Sequence, residues 1–281
     1  MINSKFLSSI VLDRVEAYDA STVNCYAFRR GTDMVDGHAL AIGNMVSGYP
    51  FEIQGNTFYN SECAYIAGMF SNDNDSHTEL QEALRDEANG FMAKKKIRRL
   101  NEDAKRADWE EFNIQWMFYC VWCKVANNAA FRKMLLEIPS DAVIIEDSTF
   151  QNGRTAAIWG TKNKVQRQLT LDYKKKLAAE GLSKVAIKKA CDEKRLGEWR
   201  KQGVFEGKNL MGKILMLCRD AAMCGTTPDI NLELLRSKHI YLFGVQLYLD
   251  ELPTVGGFSV KVDKAIVLDH EEVYDPKQQN V

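Results

Sequence analysis

Long apolar runs are missing from this 281-residue sequence, and none approaches the roughly 20 residues that a membrane-spanning helix needs. The first apolar stretch is not followed by a clear small-residue cleavage site, so we expect no signal peptide. The seven cysteines form an odd, scattered set among apolar residues, which is unlike a disulfide framework and favours a reducing compartment. The sequence therefore predicts a cytoplasmic protein without a membrane segment.

Other absences exclude classes of chemistry. The four histidines show no metal-ligand spacing, and Cys120 and Cys123 lie in a strongly apolar stretch without a second cysteine pair, so we expect no metal and no cofactor. Neither a GxSxG motif nor a Walker-type loop occurs, which leaves serine hydrolases and nucleoside triphosphatases without support. The formal net charge of -1 argues against a protein that binds nucleic acid through its overall charge.

What is present predicts an α+β fold, mainly α-helical, in a single domain with a small N-terminal β element. Residues 11–53 mix short apolar runs with glycines, a pattern of short strands and turns. Gly55-Asn56 predicts a hairpin turn, and Asn60 or Ser61 is placed to cap the helix that follows. Apolar spacing predicts helices over 77–93, 108–127 and 129–138, a buried strand over 142–145, and a helix then strands over 230–249.

The stretch 164–202 differs from the rest in charge. It holds twelve Lys or Arg against five Asp or Glu, an excess of seven positive charges. We interpret it as a basic helical hairpin inserted into the domain, with Gly181 near its break. Such a patch is the part of the chain that is expected to contact DNA phosphates.

Residues 203–220 predict a phosphate site, because a glycine-containing polar entry leads into a helix with apolar spacing. Gly207 and Gly212 permit close backbone approach, and Lys208, Asn209 and Lys213 supply donors near a helix N-terminus, where anions are favoured. The alternative is that these are ordinary solvated lysines at the start of a helix.

Further candidates are isolated, and each has an ordinary structural alternative. Trp159 and Gly160 together suit stacking on a nucleobase, although a lone Trp is more often part of a core. Glu62 is placed to hold a ribose hydroxyl or to orient water, or else simply to cap its helix. The basic run that includes Lys94 and Arg98 is a candidate anion site or a solvated surface.

In order along the chain, these segments resemble the NADAR superfamily. The matching pieces are GNMVSGYPFEIQGNTFYNSECAYIAGMF at 43–70, AKKKIRRL at 93–100, DWEEFNIQWMFYCVWCKVANN at 108–128, FRKMLLEIPSDAVIIEDSTF at 131–150, IWG at 158–160 and GKNLMGKILMLCR at 207–219. The resemblance predicts an N-terminal β-rich extension over 1–42, a NADAR-like domain over 43–219 that contains the 164–202 insert, and a C-terminal elaboration over 220–281.

The resemblance implies cleavage of an N-glycosidic bond. It places Glu62 at the ribose, Trp159 and Gly160 at the base, Asn44 in the same pocket, and Lys208, Asn209, Gly212 and Lys213 at phosphates. The family pattern has a basic residue where this chain has Met69, and an acid where it has Ala156 and Ala157. We expect Lys94 or Arg98 to supply the missing cation, and Asp147 or Glu146 the missing carboxylate.

The function expected on this basis is removal of ADP-ribose from guanine, with DNA as the preferred carrier, as in defence, toxin neutralisation or a phage countermeasure. Two alternatives stay open. One is a module that binds ADP-ribose or a related nucleotide without turnover. The other is hydrolysis of a phosphorylated ribosylamino-pyrimidine intermediate of riboflavin synthesis, for which the basic insert has no role.

Overall fold

The computed structural model of the chain describes residues 10–71, 77–256, 259–262 and 266–269. The chain divides into two compact units, each made of two stretches. Unit 1 comprises residues 1–43 and 134–217, and unit 2 comprises residues 44–133 and 218–281. The predicted domain limits at 42/43 and 219/220 lie close to the unit boundaries at 43/44 and 217/218, but they remain a prediction.

The strands are short. Those within the described residues are Glu16–Asp19 (β1), Cys25–Phe28 (β2), Met34–Val35 (β3), His38–Ala39 (β4), Phe51–Ile53 (β5), Asn56–Phe58 (β6), Val143–Glu146 (β7), Lys162–Asn163 (β8), Val204–Gly207 (β9), Tyr241–Leu242 (β10), Val245–Gln246 (β11), Ser259–Val262 (β12) and Ile266–Asp269 (β13).

Helices account for more of the chain than strands. The α-helices within the described residues are Ser61–Met69 (α1), Thr78–Asp86 (α2), Gly90–Met92 (α3), Trp109–Asn127 (α4), Ala129–Leu136 (α5), Ala156–Trp159 (α6), Lys164–Ala179 (α7), Lys184–Leu196 (α8), Leu210–Cys224 (α9) and Leu232–Ser237 (α10). A π-helical segment, Ala93–Arg98, continues directly from α3, and a 3₁₀ turn spans Glu102–Ala104. The predicted class, α+β and mainly helical, is confirmed.

Unit 1 contains three small sheets in the described part of the chain. β9 pairs antiparallel with both β1 and β8, β2 pairs parallel with β7, and β3 pairs antiparallel with β4. The predicted helical hairpin is confirmed as α7 and α8, and Gly181 lies between them with a φ of +80°, a left-handed conformation that favours glycine. Side chains of Asn163 and Ser183 cap the two helices by accepting backbone N–H groups.

Unit 2 is organised around α4, the buried helix that the aromatic spacing predicts. Trp109, Phe112, Trp116 and Trp122 on this helix are all essentially buried. The Trp116 indole N–H donates to the carbonyl of Ala64 on α1 at 3.1 Å. A side chain at Gly68 would overlap the Trp116 ring, so the glycine allows α1 and α4 to pack closely. Every residue of α1 is consequently buried.

Three local predictions need correction. The hairpin between β5 and β6 turns at Gln54-Gly55, not at Gly55-Asn56, because two consecutive left-handed residues are needed and Asn56 already pairs with Ile53. The helix predicted over 77–93 is broken where Glu87 is extended, and Asn89 caps a new start. The polar entry to α9 begins as strand β9.

None of the helices in the described part of the chain combines the length and the apolar character required to cross a membrane.

Candidate functional site

Glu62 lies in the first turn of α1, where the sequence predicts it. Asn60 caps the helix, its side-chain oxygen accepting from the Cys63 N–H at 2.9 Å. The backbone N–H of Glu62 donates to the carbonyl of Asn44 at 3.0 Å. Because α1 is buried on all sides, the Glu62 side chain is buried as well, at 2% exposure. The local sequence thus forces a carboxylate into the interior of unit 2.

The two carboxylate oxygens of Glu62 differ in their surroundings. The Asn44 side-chain amide donates a short hydrogen bond to Oε2. Oε1 is buried and has no hydrogen-bond partner among the described residues. Buried polar atoms in folded proteins are almost always paired, so an unpaired carboxylate oxygen indicates a place where a ligand or water is expected to bind.

Two basic residues lie near this carboxylate. Burial raises the pKa of Glu62 above its usual range, and the charges of Lys94 and Arg98, with the Asn44 hydrogen bond, oppose that rise. Lys94 and Arg98 are four residues apart on the π-helical segment, and both are half-exposed. Single π-turns within helices are frequent at functional sites. Unit 2 therefore brings together four of the predicted residues: Asn44, Glu62, Lys94 and Arg98.

Tyr65 belongs to the same cluster but is absent from the predicted set. It is buried, its ring centroid lies 4.9 Å from that of Trp109, and the charges of Arg98 and Glu62 both act on its hydroxyl. Burial raises the pKa of Tyr65 well above its usual value. The sequence could have indicated Tyr65, because a residue three positions after Glu62 lies on the same side of the helix as Glu62.

Asp147, the second predicted carboxylate, lies in unit 1 in a different environment. Its Oδ2 accepts from Arg29 at 2.6 Å, and its Oδ1 accepts from the Thr149 N–H at 3.0 Å. Both oxygens are therefore paired, although the side chain is fully buried. This arrangement holds the segment after β7 in place, and a role as a base would first require Arg29 to move.

Trp159 and Gly160 end the short helix α6 in unit 1. Trp159 is partly exposed. A Cβ on Gly160 would come within 2.6 Å of both the Glu146 carbonyl and the Ser148 hydroxyl. Likewise, a Cβ on Gly207 would contact the Gly160 carbonyl. Because Gly160 and Gly207 have no side chain, the backbone segments of unit 1 around them can approach one another closely.

Most donors of the predicted phosphate segment already have partners within unit 1. Asn209 is buried, donates to the Ile144 carbonyl at 2.8 Å and accepts from the Glu146 N–H at 3.0 Å. Lys213 is also buried, and its Nζ donates to the carbonyls of Val11 and Arg14 at 2.7 and 2.6 Å. Burial lowers the pKa of Lys213.

Gly212 and Lys208 complete that segment. A side chain at Gly212 would overlap the Ile144 carbonyl, so this glycine too serves backbone packing. Lys208 differs from its neighbours, since it is partly exposed and its one ion-pair partner among the described residues is Asp13, whose side chain is 83% exposed. Of the three donors in the segment, Lys208 alone has a partner that a bound anion can readily displace.

A scan against family models and a search of curated proteins gave no match. Among solved structures, the chain is similar to the NMR structure of the Escherichia coli protein YbiA, with 19% identity and a TM-score of 0.42. The similarity covers 73% of this chain and 92% of that one. A likeness at this level assigns no activity to the candidate residues of unit 1 or to those of unit 2.

Proposed function

We propose that this protein hydrolyses an N-glycosidic bond at a ribose, with Glu62 as the catalytic carboxylate. The observation that carries the proposal is the state of Glu62: a fully buried carboxylate, one oxygen held by Asn44, the other without a partner, and two cations near it. Perturbed, incompletely paired acids of this kind are concentrated at functional sites.

The chemistry suits a carboxylate in that state. As the C1′–N bond breaks, the base takes the electron pair and the ribose carbon becomes an oxocarbenium-like cation, which the negative charge of Glu62 stabilises. Water then forms the new C1′–O bond and gives its proton to Glu62, and Glu62 becomes a carboxylate again when that proton passes through solvent to the departed base. Because burial raises the pKa of Glu62, its carboxylate accepts that proton more readily near neutral pH than an exposed glutamate would.

The other cluster residues have supporting roles in the proposal. Asn44 fixes the carboxylate through its hydrogen bond to Oε2. Lys94 and Arg98 replace the family's basic residue at Met69 and hold phosphate groups of the substrate, for which their half-exposed positions are suitable. In unit 1, Lys208 is a further phosphate ligand, exchanging Asp13 for a phosphate of the DNA carrier.

The substrate we propose is ADP-ribose attached to guanine, with DNA as the carrier. The sequence resemblance to the NADAR superfamily supports the ADP-ribosyl group. The excess of seven positive charges in the insert supports a phosphate backbone as the carrier. Binding to DNA should accordingly weaken steeply as the salt concentration rises.

The experiment is to incubate the purified protein with an oligonucleotide that carries ADP-ribosylated guanine and to follow loss of the adduct by mass. The Glu62→Gln variant is run in parallel, with Glu82→Gln as the matched control, because Glu82 is an exposed glutamate on α2 of the same unit. We expect release by the wild type and the control, and none by Glu62→Gln.

Other outcomes separate the alternatives. Tight binding of ADP-ribose by the wild type without release would contradict the hydrolase and favour a binding module. Turnover of a free phosphorylated ribosylamino-pyrimidine, but not of the modified oligonucleotide, would retain Glu62 as the catalytic carboxylate and reject DNA as the carrier.

A further inference from the structure

Unit 1 contains a cavity that none of the preceding roles uses. Its volume is about 360 Å³, and it lies between α7, α8 and the two arginines that follow β2. Its lining is unusual in charge, with a single carboxylate, Asp192, against six basic side chains: Arg29, Arg30, Lys174, Lys184, Lys188 and Arg195. We propose that this cavity binds a small polyphosphorylated ligand of nucleotide size.

The first argument concerns which of the cations are already neutralised. Arg29 pairs with Asp147, Arg30 with Asp192, and Arg195 with Asp33. The three lysines, at positions 174, 184 and 188, form no ion pair with a carboxylate in the described part of the chain. Lys184 and Lys188 are one helical turn apart and therefore project from the same side of α8. They form, with Lys174 on α7, an uncompensated cationic rim.

The second argument is the crowding of cations around Phe150. The charged groups of Arg29, Lys174 and Arg167 lie 5.1, 5.0 and 5.7 Å from the centre of its ring. The ring attracts each cation but carries no net charge, and of the three only Arg29 has a carboxylate partner among the described residues, so their mutual repulsion is only partly relieved. Two of these cations also line the cavity, and an anion bound there would relieve the repulsion further.

The third argument is that two of the arginines that line the cavity each have an unpaired donor buried just behind its surface. The Nε of Arg195 and the Nε of Arg29 are both buried, and neither has a hydrogen-bond partner among the described residues. The Arg195 side chain is only 5% exposed, and an Asp192 carboxylate oxygen lies 3.9 Å from its Nε, beyond hydrogen-bond distance. A buried guanidinium donor that lacks an acceptor is what a phosphate oxygen would satisfy.

The size and lining of the cavity favour a small ligand over a nucleic-acid backbone. Cavities of roughly 300–1,000 Å³ are typical of small-molecule sites. Ile187 and Ala178 add apolar surface beside the cations, which suits the organic part of such a ligand. A phosphate backbone is instead held by exposed charges spread along a surface. This site is independent of Glu62, so it goes beyond the proposed hydrolysis.

The test measures binding by isothermal titration calorimetry, with ADP, inorganic tripolyphosphate, AMP and a twelve-nucleotide single strand as probes. Two charge-reversal variants are compared with the wild type. The rim variant, Lys174→Glu/Lys188→Glu, changes two lysines that line the cavity. The adjacent-lysine variant, Lys175→Glu/Lys189→Glu, makes the same change in charge at neighbouring residues of the same helices, which do not line the cavity. All four lysines are exposed, and thermal melts verify that both variants fold.

We expect ADP and tripolyphosphate to bind, AMP to bind several-fold more weakly, and the rim variant to lose at least about tenfold in affinity for both polyphosphates. The adjacent-lysine variant should stay within about threefold of the wild type, because only long-range charge is altered. The rim variant leaves Asn44, Glu62, Lys94 and Arg98 unchanged, so a loss of polyphosphate affinity in this variant separates the proposal from the hydrolase.

Three results would overturn the proposal: equal losses in the two charge-reversal variants, affinity for AMP equal to that for ADP, or binding of the oligonucleotide while neither polyphosphate binds at millimolar concentration. Equal losses or oligonucleotide-only binding would assign the positive charge of the insert to nucleic acid.

Discussion

Two buried carboxylates, one in each unit, show what distinguishes a structural acid from a candidate catalytic one. Asp147 is 1% exposed, and both its oxygens are paired, with Arg29 and with the Thr149 N–H. Glu62 is 2% exposed, but only one of its oxygens is paired. Burial is therefore the same, and hydrogen-bond pairing differs. Within this chain, an acid whose partners are incomplete is the better candidate for chemistry.

The largest expected effect is on turnover by Glu62→Gln. The substitution keeps the shape of the side chain and one acceptor oxygen for the Asn44 amide but removes the negative charge. Loss of a charge that acts in the transition state should lower kcat by about 10²–10⁴-fold. Single-turnover kinetics with the ADP-ribosylated oligonucleotide would measure this. A decrease of less than fivefold would remove Glu62 from the chemistry.

The second effect is on stability, at Asp147. Asp147→Asn leaves Arg29 without its carboxylate in a largely buried position, and breaking such a pair costs about 3 kcal/mol of unfolding free energy. Urea denaturation would measure the loss. Under conditions in which Asp147→Asn is folded, its turnover rate should stay within about tenfold of the wild-type rate. If Asp147→Asn instead matched the wild type in stability and lost turnover as severely as Glu62→Gln, the two acids would have to be regarded as partners.

The sequence predicts the helices more reliably than it predicts the environments of the candidate residues. Aromatic spacing is enough for α4, and the charge shift with Gly181 is enough for the helical hairpin of α7 and α8. The pairing of Asp147 with Arg29 joins residues 118 positions apart, and no local pattern encodes it. Similarly, the basic character of Lys213 predicts an anion site, whereas the carbonyls of Val11 and Arg14 accept from its ammonium group.

A third prediction concerns the pH dependence of stability. Since burial raises the pKa of Glu62, the folded state holds the proton more tightly than the unfolded state. This contribution to stability is fully present below about pH 4.3, the ordinary pKa of glutamate, and is lost as the pH rises through the folded-state pKa. Glutamine mimics the protonated acid at every pH. Glu62→Gln should therefore be more stable than the wild type at pH 8, because its amide carries no charge that burial would penalise.

Denaturation of both proteins between pH 4 and pH 8 would measure the difference, which should shrink towards zero at the acidic end. Glu82→Gln provides the control, since an exposed glutamate should show no such trend. A stability gap for Glu62→Gln that stayed constant with pH would mean that the raised pKa does not contribute to it.

The smallest expected effect separates Lys208 from Lys213 within the predicted phosphate segment. Lys208 pairs with an exposed carboxylate, and solvent screens pairs of that kind, so Lys208→Ala should melt almost like the wild type. If Lys208 exchanges Asp13 for a substrate phosphate, its loss should raise KM by about three- to tenfold with kcat unchanged. Asp13→Asn is the informative counterpart: it releases Lys208 from its only ion-pair partner, and KM should then fall or remain the same. A purely structural pair would give equal small losses of stability in both variants and the same KM in each, which would remove Lys208 from the substrate site.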